Sequence, residues 1–194
     1  MGELLRTVSG SRINYRASYA VDVASALAMG WLGARAADGW IIPALLAGAG
    51  FVAFSFAEYA IHRWLFHGST GVMRAIHQAH HDGPADHVAL PCISSAVVGA
   101  CAWWLLSAAA GTLVASFVLC GFLTGYVVYD TMHWYLHHRI PRGRLGRRLR
   151  ELHLRHHFQD DTRGFGISAP YWDRVFHTAP VSRREATGRR GRDG

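Results

Sequence analysis

Four apolar segments, each about long enough to cross a bilayer, constrain what this chain can fold into. They run from Ala17 to Ala37, Trp40 to Ile61, Pro91 to Gly111 and Thr112 to about residue 132. A membrane-spanning helix needs about 20 predominantly apolar residues. The helical pattern of the fourth segment continues through His137, and the turn at Gly111 is short enough to predict an antiparallel hairpin. We therefore predict an all-α integral membrane domain of four helices over residues 17–180.

The two ends of the chain are more polar. Residues 1–16 are predicted to be a cytosolic segment, and the arginine-rich residues 181–194 to be a disordered basic tail. The first apolar segment has an alternative interpretation as a signal peptide, because Ala34, Arg35 and Ala36 resemble a cleavage site. Its apolar run is longer than a signal core, so we expect a helix that stays in the membrane.

The basic residues predict how the chain is oriented. All 20 are arginines, against 13 acidic residues, and the formal net charge is +7. The arginines precede the first apolar segment, lie between the second and third segments, or follow the fourth. The loops on the other side, after the first and third segments, hold only Arg35. The positive-inside rule places both termini in the cytosol, at the inner membrane if the source is bacterial. No basic stripe interleaved with aromatic residues occurs, so we expect no nucleic-acid partner.

Ten of the 13 histidines fall into four clusters on the predicted cytosolic side. The clusters are His62 and His67; His77, His80 and His81; His133 and His137; and His153, His156 and His157. Residues three and four apart share a helix face, so each of the two triplets is expected to aim at one point. His62 and His67 are five apart, which predicts a bend near Gly68 or a different metal for each.

Ten imidazoles are too many for one closed structural zinc site. They would supply about five nitrogens to each of two metals and leave room for a further ligand. Imidazole suits iron, copper, nickel and zinc, so the residue type does not identify the metal. The cysteines Cys92, Cys101 and Cys120 show no paired spacing, and we interpret them as small buried residues rather than as disulfides or metal ligands.

Carboxylates near the histidines are candidates for orienting them. Glu58 lies four residues before one cluster and Asp130 three residues before another, where each could accept a ring N–H. Asp82 and Asp86 follow a third cluster and are further candidates. The alternative is that Glu58 or Asp130 pairs with a neighbouring arginine.

Five motifs carry a resemblance to a known family. They are HRWLFH at 62–67, HQAHH at 77–81, DTMHWYLHH at 130–138, LHLRHHF at 152–158 and GFGISAPYWDRVFHT at 164–178. Together they resemble the fatty acid hydroxylase superfamily of membrane-bound di-iron oxygenases, most closely its fatty acid 2-hydroxylase branch. The resemblance covers roughly residues 40–178.

The resemblance implies a membrane domain with a cytosolic helical cap that carries a dinuclear metal site. The ten clustered histidines would be the ligands, whereas His87, His138 and His177 would not, with His138 as a neighbouring helper. The metals would be two irons, with zinc possible in isolated protein, and no side chain would be catalytic beyond the metal centre. The reaction would be hydroxylation of a lipid C–H bond, with dioxygen as the co-substrate. Electrons would come from a separate donor: a ferredoxin, a cytochrome b5-like protein or a reductase. We expect position 2 of a fatty acyl chain.

Several alternatives stay open at this point. Carotenoid ring hydroxylases and sterol-type oxygenases or desaturases of the same superfamily have similar histidine motifs. A histidine-rich metal transporter is a candidate from another class, but it would place its ligands near the bilayer midplane. Aromatic side chains that could wall an acyl slot are Trp103, Trp104, Phe117, Phe122 and Tyr126. Gly121 and Gly125 form a G-x-x-x-G that lets helices approach closely.

Overall fold

The computed structural model describes residues 7–87 and 89–181 of the chain, and within these ranges the protein is helical with no strand. Its helices are α1 (Arg12–Ala34), α2 (Ile41–Ala60), a π-helix (Ile61–His67), α3 (Val72–Asp82), α4 (Cys92–Ala110), α5 (Thr112–His138), α6 (Arg144–Phe158) and α7 (Tyr171–Val175). The predicted all-α class is confirmed. The predicted basic tail lies outside the described residues apart from Val181.

Three helical stretches are long and apolar enough to cross a membrane. They are α2 together with its π-helix (Ile41–His67), α4 (Cys92–Ala110) and α5 (Thr112–His138). Helix α1 covers most of the first predicted segment and packs against α4 and α5. It is not among the three, and it carries the charged side chains Arg16 and Asp22. The count of four spans therefore stays a prediction.

The α4–α5 hairpin forms as the short turn predicted. Gly111 alone separates the two helices, and its φ of 85° lies in the left-handed region that glycine adopts without strain. Across the turn, the Trp103 indole N–H donates to the Ser116 hydroxyl over 2.9 Å. Helix α4 has no fully buried residue and packs at the outside of the bundle against α1 and α5, and α5 forms the centre of the bundle.

Small residues bring α2 and α5 into backbone contact. A methyl group added at Gly121 would overlap the Ala47 carbonyl, and one added at Gly50 would overlap the Val118 carbonyl. A methyl group added at Gly125 would lie 2.8 Å from the Cβ atom of Phe54 and would also meet the Phe54 ring. Without a hydrophobic driving force between helices in lipid, such close approach supplies much of their packing energy. The contact places the π-helix at the end of α2 beside the histidine-bearing end of α5.

The three cysteines correct one prediction. Cys101 is exposed, and Cys92 and Cys120 are partly exposed, so none is buried as the sequence suggested. Cys101 lies on the outward-facing helix α4, where an apolar neighbourhood in the sequence reflects contact with lipid rather than burial in the protein. All three are free thiols, as predicted.

Candidate metal centre

Ten histidines converge at one end of the bundle in two groups of five. Group A consists of His62, His67, His77, His81 and His156, and group B consists of His80, His133, His137, His153 and His157. Within each group the ring nitrogens that could bind a metal all lie within 4.8 Å of one another. The groups adjoin, since the ring centroids of His81 and His157 are 4.2 Å apart. Each group could hold a metal ion.

A π-helix explains how His62 and His67 reach the same group. The helix widens over Ile61–His67, so that backbone hydrogen bonds join residues five apart. The two rings consequently lie 5.1 Å apart, centroid to centroid. The sequence predicted a bend or a separate metal for each, and the structure shows a widened helix with both rings in group A. Such π segments occur frequently at functional sites.

The two histidine triplets divide between the groups, which corrects the prediction that each aims at one point. On α3, His77 and His81 belong to group A while His80 points into group B. On α6, His153 and His157 belong to group B while His156 points into group A. Residues four apart lie close to one face, and the third member of each triplet lies to one side of it. Helices α3 and α6 therefore each contribute to both groups.

The contacts between ring nitrogens cannot all be hydrogen bonds. The Nε2 atom of His77 lies 3.2 Å from Nε2 of His62, 2.9 Å from that of His67 and 3.0 Å from that of His81. One imidazole nitrogen carries either one hydrogen or one lone pair, so it can form a single hydrogen bond. Metal–nitrogen bonds of about 2.0–2.1 Å place neighbouring ligands about 3 Å apart. The spacing fits ligands around a shared cation.

Burial keeps the imidazoles neutral. Burial and neighbouring histidines lower the pKa of His80 to about 3 and the pKa of His156 to about 3. The same causes lower the pKa values of His77, His153 and His157 well below the ordinary range. Neutral rings retain the lone pair that a metal requires. Nε2 of His80, Nε2 of His156 and both nitrogens of His157 are buried and have no partner among the described residues.

Backbone carbonyls of one loop, rather than carboxylates, orient two rings of group A. Residues 163–168, which we call the tail loop, return to the histidines after α6. Nδ1 of His62 lies 2.7 Å from the Phe165 carbonyl, and Nδ1 of His156 lies 2.8 Å from the Arg163 carbonyl. A carbonyl only accepts, so each Nδ1 carries the hydrogen and each Nε2 presents its lone pair.

Glu58 binds this loop rather than a histidine, which corrects its predicted contact. Its Oε1 accepts the backbone N–H groups of Ile167 over 2.6 Å and Ser168 over 2.8 Å, and its Oε2 accepts the Ser168 hydroxyl. Asp173 accepts the N–H groups of Phe165 and Gly166, both over 2.9 Å. Asp173 was not predicted as a functional residue, although its position in the WDRVF motif could have indicated it.

The other predicted carboxylates also have different partners. Asp130 faces the Tyr15 hydroxyl on α1, and Asp82 accepts an amide N–H of Gln78 over 3.0 Å. The backbone N–H of Asp86 donates to the Gly83 carbonyl, in a turn after α3. Asp161, which was not among the predicted carboxylates, lies 3.9 Å from Nδ1 of His67. The acceptor of a ring N–H depends on how the fold orients the ring, so the spacing of residues in the sequence does not predict that acceptor.

The three remaining histidines lie outside both groups. His138 stacks on Trp134, and its nitrogens lie 2.9 Å from the Trp134 carbonyl and 3.2 Å from the Ala85 carbonyl. His87 packs edge-on against Tyr15. His177 adopts a φ of 56° in the turn after α7.

The sequence of this chain is similar to those of known proteins. The family model described as fatty acid hydroxylase matches residues 47–178. The dihydroceramide fatty acyl 2-hydroxylase FAH2 of Arabidopsis thaliana is 37% identical over 144 residues, which are 70% of this chain and 61% of the relative. Fatty acid 2-hydroxylase of Homo sapiens is 37% identical over 140 residues, which are 64% of this chain and 37% of the relative.

A solved structure is similar in fold. The hydroxylase domain visible in full-length scs7p superposes with a TM-score of 0.71 at 27% identity, covering 86% of this chain and 69% of that one. The chain spans about three fifths of the length of the Arabidopsis relatives, 61% and 63%.

Proposed function

The chain belongs to the fatty acid hydroxylase family, and from that membership we propose that it is a membrane-bound di-iron oxygenase that hydroxylates a lipid C–H bond. The lipid is a fatty acyl chain, hydroxylated at position 2. The relatives whose names specify a position are fatty acyl or fatty acid 2-hydroxylases, which supports this choice over carotenoid or sterol substrates. Dioxygen is the co-substrate.

One observation carries the proposal: two adjacent groups of five histidines whose nitrogens crowd at distances that fit a cation better than hydrogen bonds. We assign all ten as ligands, five to each ion. Five nitrogens leave a further position for an exogenous ligand, and imidazole suits iron. When bound, the two irons supply reductive activation of dioxygen and insertion of oxygen into an unactivated C–H bond.

The protein's own contribution is to position and protect this centre. His62, His153 and His156 are at most 3% exposed, which excludes water from the inner sides of both groups. Tyr129 stacks 5.7 Å from His133, and the rings of Phe54, Phe122 and Tyr126 continue this aromatic cluster along α2 and α5. These rings favour an acyl chain approaching group B from the membrane. No side chain is required as a nucleophile or a general base.

We further propose four membrane spans within a domain of residues 17–180. Helix α1 is the additional span, because its 23 residues would extend for about 34 Å and it packs on α4 and α5. Arginine distribution puts both termini and the helical cap in the cytosol. The histidines lie at the ends of α2 and α5 rather than in their middles, which favours an oxygenase over a metal transporter.

Electrons come from a separate donor, a ferredoxin, a cytochrome b5-like protein or a reductase. The segment from Arg139 to Arg155 holds seven arginines. An acidic donor and anionic phospholipid are the two candidates for this surface.

Lipid profiling tests the proposal. The full chain is expressed with a reductase system in a host that lacks hydroxylated lipids, beside His80→Ala and His156→Ala, which remove one ligand from each group. We expect 2-hydroxy fatty acyl lipids from the intact chain alone. A hydroxylated carotenoid or sterol would change the substrate, and the absence of any oxygenated lipid, or full activity of either variant, would overturn the mechanism. Purified protein should contain two metal ions per chain.

A further inference from the structure

The tail loop is held by two carboxylates that contact no histidine. Glu58 on α2 is 5% exposed and accepts two backbone N–H groups and one hydroxyl of the loop. Asp173 on α7 is 2% exposed, accepts two more N–H groups and also accepts the Thr178 hydroxyl over 2.8 Å. Burying a carboxylate is costly unless several donors compensate it. Five donors of one short loop converge on two buried carboxylates, which keeps that loop in place.

Among the described residues, the loop's hydrogen bonds to histidines go to group A, whereas its Ile167 side chain packs against Leu136 and Leu149. Its Phe165 and Arg163 carbonyls accept from Nδ1 of His62 and Nδ1 of His156, and both of these rings belong to group A. In group B, Nδ1 of His153 and both nitrogens of His157 have no partner among the described residues. The two groups thus differ in what holds their rings.

We propose that Glu58 and Asp173 are positioning residues for the group A metal, acting through the tail loop. Glu58 holds the loop, the loop carbonyls fix the Nδ1–H tautomer and the ring orientation of His62 and His156, and their Nε2 lone pairs stay aimed at one ion. This inference rests on the two-metal part of the proposed function. Loss of an outer hydrogen-bond partner of a ligand typically costs about 10- to 100-fold in metal affinity.

Metal release from the full purified chain, loaded with Zn²⁺ and mixed with a chromogenic chelator, tests the proposal without requiring turnover. Reference variants His67→Ala and His133→Ala assign the two release phases to groups A and B. Glu58→Ala should release the group A ion at least about tenfold faster and leave the group B phase unchanged. Glu58→Gln should restore most of the wild-type rate, because its amide oxygen can still accept both backbone N–H groups.

A matched control separates positioning from general loosening of the fold. Asn14 on α1 makes a comparable set of contacts, donating to the Ala89 and Leu90 carbonyls and accepting the Cys92 N–H, and none of these partners belongs to the tail loop. Asn14→Ala should lower the unfolding temperature without selecting one release phase. If Glu58→Ala accelerates both phases equally, as a loosened fold would, or neither, the proposal is wrong.

Two further outcomes are decisive. If Glu58→Ala does not fold, Ser168→Ala carries the test, since it removes one of the three hydrogen bonds and should accelerate the group A phase by several-fold alone; an unchanged group A phase would overturn the proposal. Wild-type protein that binds fewer than two ions would refute the two-metal function itself. A wild-type protein with two ions and an insensitive Glu58→Ala would refute only the role of Glu58.

Discussion

Groups A and B each contain five imidazoles, yet the chain supports them differently. Group B takes His133 and His137 from α5, His153 and His157 from α6, and His80 from α3. The buried side chains of Leu136 and Leu149 pack between α5 and α6 together with Ile167 of the tail loop. Group A takes its rings from the π-helix, α3 and α6, and two of these rings hydrogen-bond to the tail loop. Side-chain packing between α5 and α6 therefore positions most of group B, whereas hydrogen bonds to a distant loop orient two rings of group A.

The comparison teaches that ligand number and ligand support are separate properties of a metal site. The loss of one side-chain contact weakens a packed core only slightly, because its stability is the sum of many small dispersion contacts. A loop held by a few buried carboxylate bonds loses its geometry when one of them is removed. We expect group A to be more sensitive to remote polar substitutions, and group B to be more sensitive to core truncation.

The largest expected effect removes both groups at once. Gly121→Leu would force a side chain into the Ala47 carbonyl and separate α2 from α5, costing more than about 3 kcal/mol. Gly99→Leu is the matched control on α4, because nothing lies within 4 Å of a Cβ at Gly99. Size-exclusion profiles and metal content in detergent measure the outcome. Equal behaviour of the two variants would mean that the helix contact does not position the groups.

The next effect removes one group and tests whether the two bind metal independently. His77→Ala should lower the metal content from about two ions per chain to about one by disabling group A, and His133→Ala should do the same for group B. Elemental analysis of purified protein measures both. Loss of both ions in either variant would contradict independent sites and indicate a single coupled cluster.

A graded effect separates helix packing from the loop contacts. Leu149→Ala truncates a side chain that is 4% exposed and packs beside Leu136, and it should cost about 2–5 kcal/mol. Leu145→Ala on the same helix is the control, since Leu145 is 73% exposed. Thermal unfolding and metal release to a chelator measure the result. In Leu149→Ala we expect release from group B to be accelerated more than release from group A. Faster release from group A alone would reverse the assignment of supports.

The smallest effect tests a carboxylate that sequence spacing favoured. Asp82→Asn should change neither metal content nor, by more than about 0.5 kcal/mol, stability, because Asp82 contacts exposed Gln78 rather than a ligand ring. Asp161→Asn is the comparison, since Asp161 lies 3.9 Å from a group A ring. A selective loss of the group A ion in Asp82→Asn would show that it orients a histidine after all.

Much of the framework was predictable from local patterns. Apolar runs predicted helices from Trp40 to Ile61, Pro91 to Gly111 and Thr112 to about residue 132, because the length of an apolar run is read from consecutive residues. The structure has helical stretches over Ile41–His67, Cys92–Ala110 and Thr112–His138. The hairpin at Gly111 followed from a single-residue turn. The division of the α3 and α6 triplets was not predictable, because a helix face can border two sites and only its neighbours decide which residue enters each.

The partner of Glu58 shows the limit most clearly. Spacing placed it one helical turn before His62, which suggested a bond between neighbours. It instead binds Ile167 and Ser168, more than 100 residues later in the chain. A buried carboxylate takes whichever donors the fold brings within reach, and unpaired backbone N–H groups of a loop satisfy it better than one imidazole.

By itself, the sequence determined the chemical inventory of this protein: ten imidazoles beside apolar helices, at spacings that bring pairs onto shared faces. Those properties are local, since they depend on residue type and on helical periodicity. The tertiary structure alone decided that His80 and His156 each join a different group from the other two histidines of their triplet. It also decided that a π-helix brings His62 and His67 into one group, and that the tail loop orients two rings of group A. Each of these depends on contacts between segments far apart in the chain, which packing sets and local spacing does not.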